Sequence, residues 1–102
     1  MKRLTVQRRA MRDLADARAY YQQEAPHMVS EFALGLDSEF LHLRRHPETG
    51  SPRHGLQLGI TGLRSWSVKK FPYAIFYMAD EARIRVLRVL HQAADIPSHL
   101  KP

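Results

Sequence analysis

The apolar positions at the start of the chain change their spacing after a short first segment. Residues 4–6 form a brief run of Leu, Thr and Val that favours a strand. From Arg8 to Glu24, apolar side chains recur every three or four residues, which places them on one face of a helix. This face consists of Ala10, Leu14, Ala17 and Tyr21. The pattern therefore predicts a strand followed by an amphipathic helix.

A second helix is predicted to begin at Ala25-Pro26, because proline at the first helical position needs no backbone partner. Its apolar residues again follow helical spacing, and further apolar positions widen the surface beyond one face. The stripe is Val29, Phe32, Leu36, Phe40 and Leu43, and the additional residues are Met28, Ala33, Leu34 and Leu41. Such a helix buries two faces or keeps one for a partner. The short link predicts that the two helices form an antiparallel hairpin.

The next segments lose the helical period. Residues 46–59 have the composition of a loop, and residues 62–70 then alternate as a strand. In that strand one face is predicted to carry Arg64, Trp66, Val68 and Lys70, and the other Leu63, Ser65, Ser67 and Lys69. An arginine beside Trp66 on a strand face must be paired or lie at an edge of the sheet.

Two more strands are predicted, Tyr73 to Met78 and Arg83 to His91, with turns at residues 71–72 and 80–81. The last strand has apolar residues on both faces, which suits a central strand covered on both sides or a strand interrupted by a bulge. Residues 93–100 have room for one helical turn. The order β-α-α-β-β-β predicts an α+β fold with the helical hairpin packed on a mainly antiparallel sheet.

Composition narrows the function classes. The 102 residues are expected to form a single domain over residues 1–102, with 16 lysines and arginines against 10 acidic residues and a formal net charge of +6. This excess favours an anionic partner such as nucleic acid, an acidic protein or a membrane surface. The absence of cysteine excludes disulfides, thiolate zinc sites and cysteine nucleophiles.

No segment has the length or composition of a membrane anchor. The longest apolar stretch, residues 84–90, is interrupted by Arg88 and is far shorter than the roughly 20 residues that span a bilayer. No secretory signal opens the chain. We therefore expect a cytoplasmic protein without a membrane partner.

Metal-free RNA cleavage is the enzymatic alternative that the residues allow. It needs a base, an acid and fixed positive charge at the phosphate. The residues of suitable type on the predicted strands are Arg64, Lys70, Tyr77, Arg88 and His91. The competing interpretation is that Tyr77 and His91 are half-buried strand residues with satisfied hydrogen bonds. His42 and His46 have the spacing of a helical metal pair but no acidic third ligand in a known motif, so we predict no metal and no cofactor.

The order of several short motifs resembles the RelE/ParE toxin superfamily, and the ParE-like branch in particular. The resemblance covers nearly the whole chain, although each fragment alone is weak. In chain order the fragments are Ala10 with Asp13-Leu14, Phe32 with Leu36, Pro47 with Gly50, Leu58-Gly59 with Gly62-Leu63-Arg64, Phe71-Pro72 with Ile75-Phe76-Tyr77, and Val89-Leu90-His91 with Asp95-Ile96.

This resemblance implies the toxin of a type II toxin–antitoxin system, with a ParD-like antitoxin that wraps it and growth inhibition through DNA gyrase. The RelE-like branch instead implies cleavage of mRNA on the ribosome. Two departures weaken the nuclease alternative: Gln92-Ala93-Ala94 stands where many relatives carry a basic residue before the aspartate, and residues 96–102 lack a basic and aromatic cluster. A third alternative is a binding module that has lost its toxicity.

Residues for both contacts are predicted. The candidates for contact with the target are Arg64, Trp66, Lys69 and Lys70. Apolar residues of the hairpin are the candidates for the antitoxin, which is expected to lay an apolar helix on them and to meet the arginines with acidic side chains. These are Leu14, Tyr21, Met28, Phe32, Leu36 and Phe40.

Overall fold

A computed structural model describes residues 1–100 of the chain, and Lys101 and Pro102 of the C-terminal tail lie outside the described residues. The strands are β1 (Arg3–Val6), β2 (Arg64–Ser67), β3 (Tyr73–Ala79) and β4 (Arg83–His91). The helices are α1 (Arg8–Glu24), α2 (Val29–Arg45), α3 (Arg53–Leu58) and α4 (Ile96–Leu100). Single 3₁₀ turns precede α2 at Pro26–Met28 and follow it at Pro47–Thr49.

The strands form one four-stranded sheet in the order β1-β4-β3-β2. The first strand runs parallel to β4, with Arg3 beside Arg83 and Val6 beside Val86, whereas the other two pairings are antiparallel. The sheet is therefore mainly antiparallel, and the predicted α+β fold is confirmed. The last strand in sequence occupies a central position, as its apolar residues on both faces predicted.

The hairpin of α1 and α2 covers one face of this sheet. At its closed end Tyr21 packs against Phe32, with ring centroids 4.9 Å apart, and Phe32 packs against Phe71 and Tyr73 at 5.1 and 5.4 Å. At its open end Arg44 donates to the carbonyl of Lys2, next to the start of the sheet. The second helix thus returns along the first, and aromatic rings fill the space between hairpin and sheet.

A β-bulge in β4 explains why both of its faces are apolar. The register with β3 shifts between Phe76 and Tyr77, so that Leu87 is the extra residue of β4. Before the bulge Ile84 and Val86 point toward the hairpin, and after it Val89 does so, one position out of phase. Both explanations offered by the sequence hold, because β4 is a central strand and also carries a bulge.

A smaller core lies on the opposite face, under α3 and α4. The buried residues there include Leu63, Phe76 and Leu90, with Ile96 and Leu100 of α4 packed against them. The expectation of a loop over residues 46–59 was wrong in its second half, where α3 forms. Gly55 permits this packing, because a Cβ atom there would lie 2.7 Å from the carbonyl oxygen of Leu63.

The predicted strand over residues 62–70 was too long. It ends at Ser67, and the amide of Val68 donates to the carbonyl of Tyr73 to close the connection to β3. Lys70 lies in this connection with a φ of 72°, a left-handed conformation that ends any strand alternation. Lys70 therefore does not share a strand face with Arg64.

Candidate functional site

Arg64 and Tyr77 form a bracket that holds the segment after α2 against the sheet. They are direct neighbours across β2 and β3. The guanidinium of Arg64 donates to the carbonyls of Glu48 and Gly50, at 3.0 and 2.7 Å. The hydroxyl of Tyr77 donates to the carbonyl of Pro47 at 2.7 Å and accepts the amide of Gly50 at 2.9 Å. We call this set of contacts the Arg64–Tyr77 bracket.

Tyr77 lies entirely inside the bracket. Its relative exposure is 0%, and burial raises the pKa of its phenol, an effect that the hydrogen bond from Gly50 and the charge of Arg64 oppose. The phenol is therefore neutral and fully engaged with backbone groups at physiological pH. Gly50 has no room for a side chain, because a Cβ atom there would lie 2.3 Å from the Tyr77 hydroxyl.

Arg88 is held by an ion pair with α1. Its guanidinium donates to both carboxylate oxygens of Asp13, at 2.8 and 2.9 Å, and to the carbonyl of His99 at 3.0 Å. Asp13 also accepts the amide of Val89 at 3.0 Å. The ion pair raises the pKa of Arg88. One carboxylate thus joins α1 to β4 at the point where β1 no longer pairs with it.

The groups proposed for RNA cleavage do not meet in one place. His91 pairs with Tyr73, and Arg64 pairs with Tyr77, so these positions lie four residues apart along β3, or roughly 13 Å. The Nδ1 atom of His91 accepts the amide of Ala93 at 3.0 Å. With Arg88 bound to Asp13 and Lys70 in the turn, Arg64 and Tyr77 are neighbours, but the five candidates do not converge on one place.

The other residues predicted to contact a target surround Glu39 of α2. The indole of Trp66 donates to Glu39 Oε1 at 3.0 Å, and the amide of Lys69 donates to Glu39 Oε2 at 2.8 Å. The imidazole of His42 stacks on Trp66 with centroids 4.5 Å apart. Trp66 is therefore half-buried and held from two sides. The side chains of Lys69 and Lys70 are exposed.

The structure separates the residues proposed for the antitoxin into two groups. Tyr21, Phe32 and Leu36 are buried in the hairpin core, with exposures of 9%, 2% and 7%, so their side chains are not surface residues. Half-buried positions are Leu14, Met28 and Phe40. The large apolar side chains that the hairpin exposes are Met11, Tyr20, Leu34 and Leu41. The contact with an antitoxin stays a prediction, and these exposed residues are the surface available for it.

Sequence reasoning missed the partner of Arg88. Asp13 follows Arg9 by four residues, as Asp16 follows Arg12, and this spacing favours pairs within the helix. In the structure Asp13 turns inward to Arg88, 75 residues further along the chain. One feature of the sequence pointed to an inward contact: Asp13 immediately precedes Leu14, so it lies beside the apolar face of the helix.

Within residues 1–100, no three His, Asp or Glu side chains are grouped so that they could hold a metal ion. In the same residues, no helix has the length and hydropathy needed to cross a bilayer.

Comparisons with known proteins agree with this fold. A chain of the chromosomal ParDE toxin–antitoxin system from P. aeruginosa superimposes with a TM-score of 0.72 at 18% identity, covering 89% of this chain and 96% of that one. No curated protein sequence matches at a significant level. The fold is thus that of a ParE-like α+β protein.

A family model places the chain more narrowly. The model of the ParE toxin of the type II toxin–antitoxin system parDE matches residues 4–96. Because this match spans most of the chain, the protein belongs to the ParE toxin family. The resemblance found in the sequence is confirmed, and the protein is of the type II toxin class.

Proposed function

We propose that this protein inhibits growth by direct contact with DNA gyrase in the cytoplasm and that a cognate ParD-like antitoxin neutralises it. Membership of the ParE toxin family supports the part of this proposal that the protein is a toxin. The observation that carries the choice of mechanism is that the five candidate residues for RNA cleavage do not converge on one place. A toxin without an assembled acid–base site acts through binding.

The chemistry of RNA cleavage supports this choice. A general base and a general acid must lie within hydrogen-bond reach of the same substrate, with a cation at the phosphate between them. Here the hydroxyl of Tyr77 is hydrogen-bonded to two backbone groups, and the guanidinium of Arg88 is hydrogen-bonded to Asp13 and to the carbonyl of His99. Recruiting either residue for catalysis would break contacts that hold the fold.

The exposed apolar side chains of the hairpin support an antitoxin contact. Leu34 is 68% exposed and Met11 is 61% exposed, on α2 and α1. Exposed leucine and methionine on a helical surface suit an apolar helix of a partner, and the net charge of +6 suits a partner with acidic residues. We propose that the antitoxin covers this outer side of the hairpin rather than its buried aromatic residues.

The experiment that tests the mechanism measures two activities of one purified preparation. Supercoiling and accumulation of cleaved DNA by gyrase are assayed with added toxin, alone or preincubated with the protein from the neighbouring reading frame. Primer extension on abundant transcripts follows toxin induction in cells. Inhibition of gyrase that the antitoxin reverses, with uncut mRNA, is expected. Codon-specific cuts within minutes of induction would instead support a ribosomal RNase, and inactivity in both assays a module without toxicity.

A residue-level test uses Arg64, the target-contact candidate that the structure also places in a bracket. We expect Arg64→Ala to abolish toxicity. If the bracket alone were responsible, thermal stability and antitoxin affinity would fall together with toxicity. The double variant Lys69→Ala, Lys70→Ala is the matched comparison, because these side chains are exposed beside the same strand and hold no part of the bracket. Full toxicity of a stably folded Arg64→Ala protein would remove Arg64 from the contact surface.

A further inference from the structure

The face of the sheet opposite the hairpin carries arginines at the end that α3 and α4 leave open. In the parallel pairing of β1 and β4, Arg3 lies beside Arg83, and Thr5 lies beside Arg85. Leu4, Val6, Ile84 and Val86 pack toward the hairpin. Since side chains alternate along a strand, the three arginines project from the opposite face. We call Arg3, Arg83 and Arg85 the arginine patch.

The spacing of the patch is set by the backbone. Neighbouring strands lie about 4.8 Å apart and alternate residues of a strand about 6.7 Å apart, so the three side chains start within roughly 10 Å of one another. Arg3 and Arg83 are exposed, and Arg85 is half-buried. The β-sheet thus fixes the backbone positions of the three arginines in an L-shaped arrangement.

The positive charges of the patch have few hydrogen-bond or ion-pair partners among the described residues. Among residues 1–100, none of its guanidinium groups donates a hydrogen bond to another residue, in contrast to Arg64 and Arg88. The carboxylate of Asp80 lies in the turn before the patch and accepts the amides of Arg83 and Ala82. These bonds lower its pKa, and the charges of Arg83 and Arg85 add to the effect. The exposed Glu81 follows in the same turn.

A further cation stands beside the patch. Lys2 extends its ammonium group to the carbonyl of Asp80, at the same end of the sheet. Like charges placed opposite each other on neighbouring strands destabilise a sheet. The patch therefore opposes folding and leaves guanidinium donors free for an anionic ligand.

We propose that the arginine patch binds the phosphate backbone of duplex DNA. Guanidinium groups donate two parallel hydrogen bonds to a phosphate, and several cations fixed on a rigid surface match the repeated charges of a nucleic acid. This inference goes beyond the contact with gyrase proposed above and does not depend on it.

The surroundings of the patch distinguish duplex DNA from other anions. A protein partner uses buried apolar and aromatic anchors, and single strands stack their bases on aromatic side chains. Within the described residues, the exposed large apolar side chains are Met1 next to Lys2, and Met11, Tyr20, Leu34, Leu41 and Leu56 on the helices. The patch has charge without an aromatic platform, which suits contact with the backbone of a duplex.

The test measures binding of the purified toxin, without gyrase, to a fluorescent duplex of about 20 base pairs between about 50 and 200 mM KCl. The patch variant carries Arg3→Gln, Arg83→Gln and Arg85→Gln. The control variant carries Arg9→Gln, Arg12→Gln and Arg18→Gln, which remove the same charge from exposed positions of α1. Because gyrase is absent, the outcome is independent of the mechanism of toxicity.

We expect the patch variant to lose affinity by about tenfold or more and the slope of log affinity against log salt to decrease in magnitude by about 3, since each phosphate contact contributes about 0.9. The control variant should change affinity less than about threefold. Equal losses in both variants would overturn the proposal, because net charge alone would then explain them.

Two further measurements identify the ligand and guard against unfolding. Tighter, patch-dependent binding of single-stranded DNA or RNA of equal length would overturn the choice of duplex DNA. A patch variant that keeps its affinity for duplex but loses the antitoxin would assign the surface to an acidic protein. We expect the melting temperature of the patch variant to stay unchanged or rise as charge repulsion is relieved. A clear fall would show that the arginines serve the fold and would overturn the proposal.

Discussion

The two faces of the sheet carry arginines in different states. On the hairpin side, where helices cover the sheet, Arg64 donates to two backbone carbonyls and lies above the fully buried Tyr77. On the opposite side, beyond the reach of α3 and α4, Arg3 and Arg83 lie next to each other, and their guanidinium groups have no acceptor among residues 1–100. Coverage by helices therefore decides whether a strand arginine acts as a brace for the fold or stays available to a ligand.

The largest expected effect is a loss of stability at the closest contact on the hairpin side of the sheet, between Gly50 and Tyr77. Gly50→Ala should lower the free energy of unfolding by about 3 kcal/mol, because the new Cβ atom would overlap the buried Tyr77 ring. Gly35→Ala is the matched control in α2, where a Cβ atom would lie 3.7 Å from the Phe71 ring, an ordinary contact. Alanine should stabilise that helix by about 0.5 to 1 kcal/mol. Urea denaturation measures both, and similar effects of the two changes would contradict the bracket.

The next effect tests how α1 is joined to β4. Asp13→Ala removes the partner of Arg88 and leaves the amide of Val89 unpaired. We expect the free energy of unfolding to fall by about 2 to 3 kcal/mol, because both groups are largely removed from solvent. Asp16→Ala, on an exposed position of the same helix, should change it by less than about 0.5 kcal/mol. Equal stability of the two variants by chemical denaturation would show that the ion pair contributes nothing.

A smaller effect separates two buried tyrosines of β3. Tyr77→Phe should cost about 1 to 2 kcal/mol of unfolding free energy, since the amide of Gly50 and the carbonyl of Pro47 lose their partner. Tyr73→Phe should be neutral within about 0.5 kcal/mol, because the ring of Tyr73 packs against Tyr21 and Phe32 and its hydroxyl makes no hydrogen bond to residues 1–100. A Tyr73→Phe protein as destabilised as Tyr77→Phe would remove the distinction.

The smallest expected effect is a pH dependence of stability that arises from His54, on the face of the sheet opposite the hairpin. Burial, followed by the charge of Arg53, lowers the pKa of His54, whose ring packs on Phe76. The unfolded chain then takes up a proton first as the pH falls, so stability present above about pH 6.5 decreases below it. His54→Gln should reduce the difference in melting temperature between about pH 7.5 and 5.5. His27→Gln, at an exposed position, should leave that difference unchanged.

Much of the fold follows from local pattern, and its exceptions have physical reasons. The bounds of α1 and β4 match those predicted, because α1 has a long helical period and β4 is a long run of residues that favour a strand. The six-residue helix α3 has its leucines at 56 and 58, a spacing typical of a strand, and it depends on packing of Gly55 under Leu63. The turn at Lys70 has no glycine or asparagine to announce its positive φ.

The candidate site was less predictable than the fold, because its contacts join distant segments. Arg64 was expected to be paired or at an edge, and it is both, on the edge strand β2 with carbonyl partners from residues 48 and 50. No periodicity could have placed Asp13 against Arg88. Likewise, the arginine patch exists only because β1 pairs in parallel with β4, a register that sequence spacing does not encode.

The same parallel pairing has a consequence for how the toxin comes into being. Residues 3–6 find their partners at residues 83–86, and β4 bridges β1 and β3. While the ribosome is still synthesising the first eighty or so residues, the helical hairpin has no sheet on which to pack its aromatic side chains. Long-range pairing of this kind slows folding and follows chain synthesis. The sheet thus couples the appearance of a folded toxin to the synthesis of β4, which lengthens the interval in which an antitoxin can meet the chain before it is fully folded.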